Sequence, residues 1–92
     1  MALTIKEQNG IFFAQGIINS STSELFKNHI EFLLNFQNSL EINIDAITKI
    51  DTNGLLAFYK LYKKALIYNI DFKITGKGCE ELLKEINCNL VA

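Results

Sequence analysis

A chain of 92 residues that is 49% hydrophobic, 11% aromatic and 21% charged has the balance of one soluble globular domain spanning residues 1–92, with no room for a second. At this length folding buries only about 60–65% of the surface of the extended chain, which argues against large cofactor-enclosing cavities and against most enzymes. Nine Lys, no Arg and ten acidic residues give a net charge of −1, so no global field draws the chain to nucleic acid or to an anionic membrane.

The longest uncharged apolar run, Leu55 to Tyr59, stops at Lys60. That is far short of the ~18 residues of a membrane span. The start, Met1-Ala2-Leu3, has no basic segment of the kind that opens a signal peptide. A cytoplasmic protein with no direct membrane insertion is expected. Cys79 and Cys88, with His29 as the only histidine, do not make the four-ligand set that zinc needs. Reduced thiols, no metal site and no cofactor follow as expectations.

There is no Pro, and the turns must come from Gly, Asn, Asp and Ser clusters. Leu3 to Glu7 and Ile11 to Ala14 are short apolar and β-branched runs joined by Gln8-Asn9-Gly10, and Asn-Gly between such runs predicts a β-hairpin. Ser21 and Glu24 have the form of a capping box. After them Leu25, Phe26, Ile30, Leu33 and Leu34 recur at helical spacing, which predicts a helix to about Phe36. Leu40, Ile42 and Ile44 alternate with Glu41, Asn43 and Asp45, the period of a half-buried strand, and the extended pattern continues to Ile50.

Asp51-Thr52-Asn53-Gly54 interrupts that pattern, and Leu55, Phe58, Tyr59, Tyr62 and Leu66 then form the apolar stripe of a second helix ending near Asn69. Ile70 to Thr75 alternates as a strand, Gly76-Lys77-Gly78 is a turn, and Leu82, Leu83 and Ile86 suggest a last helix. The predicted order is ββαβαβα with about three helices. Successive strand-helix-strand units imply right-handed crossovers and a parallel part of the sheet, while the hairpin supplies an antiparallel part. The expected class is α/β with a mixed β-sheet.

The chemistry is concentrated at Ile50-Asp51-Thr52-Asn53-Gly54-Leu55, where a carboxylate and a hydroxyl stand at the N-terminus of the second helix. Free backbone N–H groups and the positive end of the helix dipole meet there. Two readings stay open at this point. Asp51 or Thr52 caps the helix and Asn53-Gly54 makes a turn, or the Thr52 hydroxyl is exposed and accepts a phosphate that the helix end partly tolerates. On the helix itself a wheel places Leu56 and Ile67 beside Lys60 and Lys63, roughly opposite the core stripe. This is either ordinary scattered exposure or a docking face with Leu56 as the apolar contact and Lys60 and Lys63 as its polar rim. Gly76-Lys77-Gly78 lacks the spacing of a phosphate loop, and His29 stands near no nucleophile motif.

The stretch Ile50 to Leu55 resembles the Asp-Thr-x-Gly-Leu signature of STAS domains, the family shared by sulfate transporter tails and bacterial anti-sigma factor antagonists. Gly16-Ile17-Ile18-Asn19 followed by Thr22 is similar to that family's segment before the first helix. Leu40 to Asp45 is similar to its central strand, and Asp71 to Thr75 before Gly76 also fits. The resemblance implies a regulatory protein-interaction module with no catalysis of its own, acting in transcription regulation. It also implies that Thr52 is the residue phosphorylated by a serine kinase-type anti-sigma factor, with Asp51, Asn53, Gly54 and Asn19 on the partner-facing surface. Ile17 and Asn19 stand where antagonists usually carry acidic residues, and the expected chain lacks the final strand and helix of longer members. A second resemblance is to the small cytoplasmic STAS subunit of an ABC lipid transporter, which would seat the same surface on an ATPase subunit. A nucleotide-sensing STAS module is a third. An open edge strand leaves a dimer available.

Overall fold

The computed structural model describes residues 3–77. Asn9 and Gly10 take φ values of 53° and 83°, the left-handed pair that a two-residue type I′ loop requires. They join β1 (Leu3–Gln8) to β2 (Ile11–Ile18), with Gln8 opposite Ile11 in an antiparallel ladder. The chain then forms α1 (Ser23–Leu34), β3 (Ser39–Ile50), α2 (Thr52–Ile67) and β4 (Asp71–Thr75). The four strands lie in the order β1-β2-β3-β4, and both β2–β3 and β3–β4 are parallel. The described order is therefore ββαβαβ in a mixed sheet. The last helix predicted around Leu82, Leu83 and Ile86, the end of the turn at Gly78, and both cysteines lie outside the described residues.

Both crossovers step the same way across the sheet, and right-handed connections then place both helices on one face. The packing agrees. The rings of Phe26 on α1 and Phe58 on α2 lie 4.9 Å apart between centroids, and Glu31 of α1 is 4.0 Å from Lys64 of α2. Below the helices Ile18, Ile42 and Leu40 close a core whose largest fully buried members include Phe26, Phe58, Ile30 and Leu61.

Three details differ from the sequence pattern. Ser21 and Glu24 form no capping box: the Ser21 N–H donates to Asn19 Oδ1 at 2.9 Å, and Thr22 is the residue at the helix cap. The first helix ends at Leu34 with Asn35 as its cap, and Leu25, expected in the core, is 66% exposed. The stripe of α2 is rotated by one residue, or about 100°. Gly54, Ala57, Phe58, Leu61 and Ala65 face the sheet, while Leu55, Tyr59 and Tyr62 flank it and Leu66 is exposed. Small residues win the central positions because they let the helix backbone settle close to the strands, a gain that a count of large apolar side chains misses.

The end of α2 is closed by Asn69, whose φ of 57° is left-handed. The Ile70 N–H donates to the Ala65 carbonyl at 2.8 Å and the Asn69 N–H to Leu66 at 3.3 Å, the two bonds of a Schellman motif. This turns the chain into β4, which pairs only with the Ser39–Asn43 portion of β3. After β4 the Lys77 N–H donates to Asp45 Oδ1 at 2.6 Å. Gly76, at a φ of 104°, sits where a Cβ would lie 2.8 Å from the Asp45 nitrogen, so only glycine fits this junction.

Candidate functional site

The parallel strands β2 and β3 end side by side, and the Asp51 N–H donates to the Ile18 carbonyl at 3.1 Å. This bond brings the loop before α1 and the first turn of α2 to one end of the sheet. In that loop the Thr22 hydroxyl donates to the Ile17 carbonyl at 2.8 Å and accepts from the Asn19 N–H at 2.9 Å. Thr22 is the buried polar residue of the described core. The Asn19 side chain is thus already engaged within its own loop, where it shapes the entry to α1.

On the α2 side Asp51 is the N-cap, its Oδ1 accepting from the Gly54 N–H at 3.0 Å. Thr52 is consequently the first helical residue and is exposed, with a hydroxyl that the cap does not need. The expected turn at Asn53-Gly54 is instead the first turn of the helix. Replacing Asp51 by Ala should lower folding stability by about 1 kcal/mol, read from the urea midpoint, and Asp51→Asn should recover most of it.

Gly54 fixes how close this helix end comes to the strands. A Cβ there would lie 2.7 Å from Ile50 Cγ2, 2.9 Å from Ile18 Cγ2 and 2.9 Å from the Ile18 carbonyl oxygen. Ile18 is fully buried and its carbonyl belongs to the strand end, so neither can retreat without moving the sheet. Gly54→Ala should cost about 2 kcal/mol after the gain in helix propensity, lowering Tm by about 8–16 °C in a domain of this size. An unchanged Tm would contradict the close approach.

Between the first turns of the two helices lies a shallow groove of about 210 Å³. Ser20, Ser23, Glu24 and Lys27 line one side, and Asn53, Leu56 and Lys60 the other. The structure therefore gathers Asn53, Leu56 and Lys60, with Thr52 exposed at the same helix end. Lys63 lies one turn further along the outer face of α2, exposed beside Ile67, as the wheel predicts. Asp51 and Gly54 shape the site through the backbone. Thr22 is the residue whose positioning role sequence reasoning missed, because its bonds reach back to Ile17 and Asn19 in a geometry that spacing alone does not define. Among the described residues no three His, Cys, Asp or Glu side chains cluster as a metal site, and no helix is long and apolar enough to cross a membrane. A groove of this size with mixed polar walls and an apolar Leu56 is suited to contact with another macromolecule.

The STAS domain family matches residues 1–82, and the chain belongs to that family. Among solved structures it is similar to an anti-sigma factor antagonist from Mycobacterium paratuberculosis, with a TM-score of 0.65 and 19% identity over 83% of this chain and 67% of that one. It is also similar to Mglu, with a TM-score of 0.58 and 14% identity over 79% of this chain but only 19% of that much longer one. At these identities the likeness concerns the fold. No curated protein matches the sequence.

Proposed function

We propose that this STAS domain is a non-enzymatic binding module of the anti-sigma factor antagonist type, cytoplasmic and bacterial, whose partner is a serine kinase-type anti-sigma factor and whose switch is phosphorylation of Thr52. The observation that carries the reading is the division of labour at the start of α2, where Asp51 caps the helix and leaves the exposed Thr52 hydroxyl without a capping role. The likeness in fold to an anti-sigma factor antagonist supports the choice of partner class.

The energetics favour a switch that acts on binding and spares the fold. A phosphate adds a charge of about −1.5 to −2. The first turn of a helix stabilises an anion by about 0.3–1 kcal/mol, and the neighbouring Asp51 carboxylate opposes that gain. The folded state is then nearly indifferent to the modification. A partner covering Leu56 must strip water from the same phosphate, which costs several kcal/mol when no cation compensates it.

The reading is tested by capturing the tagged chain from its own cells and identifying what is bound. A kinase-type anti-sigma factor is the expected partner. Recovery of an ABC transporter ATPase in its place would move the same surface to a lipid-transport complex and overturn the proposal.

A further inference from the structure

Among the described residues a second uncovered face lies on the side of α1 away from α2. Leu25, His29 and Phe32 recur at i, i+4 and i+7 of α1, so they share one stripe about 60° wide, and Phe36 follows two residues past the helix end. Leu25, Phe32 and Phe36 are 66, 62 and 73% exposed. The rings of Phe32 and Phe36 already lean on one another with centroids 5.0 Å apart. The stripe runs into a groove of about 580 Å³ between α1 and β1, floored by Leu3 and Ile5. Next to that groove is an edge of the sheet, β1 being the end strand of the order among the described residues. In a hairpin with a two-residue loop Gln8 and Ile11 bond each other. By alternation Leu3, Ile5 and Glu7 then aim their N–H and C=O groups outward from the edge.

We propose that this face is a dimer interface, in which two copies of the chain pair β1 with β1 antiparallel about a two-fold axis perpendicular to the sheet and pack α1 against α1 above the join. Identical strands pair antiparallel about such an axis without needing a complementary sequence. The same axis puts the two α1 helices on one face and antiparallel. α1 shares its groove with β1 and α2 packs over β3 and β4, so two copies joined at β1 bring their α1 helices about two strand spacings apart, about 10 Å, the separation of ordinary helix pairs. The stripe carries no Lys, Asp or Glu, so it asks for no charged partner.

The area also suffices. A six-residue strand beside a 12-residue helix offers a strip about 20 Å by about 20 Å. With side-chain relief this is about 600 Å² per copy and about 1,200 Å² in total, the lower bound of a specific interface. The outer face of α2 stays free in this dimer, and the proposal stands independently of the partner assigned above.

Sedimentation equilibrium of the full chain from about 1 to about 500 μM tests it, the range being set by the micromolar affinities that small interfaces reach. A reversible monomer–dimer equilibrium is expected. Phe32→Ser with Phe36→Ser, and separately Glu7→Pro, should each raise the dimer Kd at least tenfold with an unchanged circular dichroism spectrum. Proline at position 7 removes one outward N–H and leaves the ladder to β2 intact. If Glu7→Pro perturbs the fold, the exposed Phe pair decides alone. A chain that stays monomeric throughout would overturn the proposal, whether that face then takes an unlike partner or the chain's own residues 78–92. So would a dimer that the Phe variant leaves intact.

Discussion

Thr52→Glu should weaken binding of the captured partner at least a hundredfold while leaving the fold as stable as before or slightly more so. The two effects differ because the added charge meets a helix end in the free chain and a partner that removes its water in the complex, and the neighbouring Asp51 carboxylate offsets part of the gain at the helix end. A carboxylate in the first turn of a helix is favoured by the free N–H groups and the dipole, by about 0.3–1 kcal/mol. The same carboxylate beside Leu56, buried under a partner without a cation, costs about 2–3 kcal/mol or more, and a hundredfold in Kd corresponds to about 2.7 kcal/mol. Thr52→Ala should stay within about threefold of native affinity and within about 0.5 kcal/mol of native stability, since Asp51 and not Thr52 is the cap. Calorimetric titration together with thermal unfolding reads both quantities on the same samples. Equal affinity for native and Thr52→Glu proteins would remove the switch. A 1 kcal/mol loss of stability in Thr52→Ala would return the hydroxyl to a structural role.

Phe58→Ala should be the most damaging single change to the fold, lowering stability by about 3–5 kcal/mol. Phe58 is fully buried at the junction of α1, α2 and the sheet, against the Phe26 ring. A chain of 92 residues is stable by only about 5–14 kcal/mol, so this one deletion removes a large fraction of the total. Tm should fall by about 12–40 °C. Leu66→Ala gives the sharp contrast. The hydrophobic spacing of α2 ranks Leu66 with Phe58 in the core, whereas its side chain is more than half exposed, and the change should cost less than about 0.5 kcal/mol. Urea unfolding of the two variants side by side distinguishes the rotated packing from the simple stripe. A loss of 2 kcal/mol or more in Leu66→Ala would contradict it.

The features legible in the sequence are those written in local geometry. Asn9-Gly10 prescribes its own turn, the alternation from Leu40 to Asp45 prescribes a strand, and Asp51-Thr52 marks a helix start whatever lies around it. The outward position of Leu56, Lys60, Lys63 and Ile67 was legible for the same reason. What was not legible depends on partners distant in the chain. The depth and rotation of α2 are set by Gly54 against Ile18 and Ile50, and a pattern of large apolar residues gives no weight to a glycine or to Ala57 and Ala65. The Ser21–Glu24 box lost to Asn19, whose side chain took the Ser21 N–H first. The grooves beside α1 arise from the meeting of elements and have no signature in any one of them.

The most direct test of the central claim is the phosphate occupancy of Thr52, measured by mass spectrometry separately on the partner-bound and the free pools of the chain recovered from its own cells. Phosphate on Thr52 is expected in the free pool and none in the bound pool. Equal occupancy in the two pools, or no phosphate in either, would contradict it.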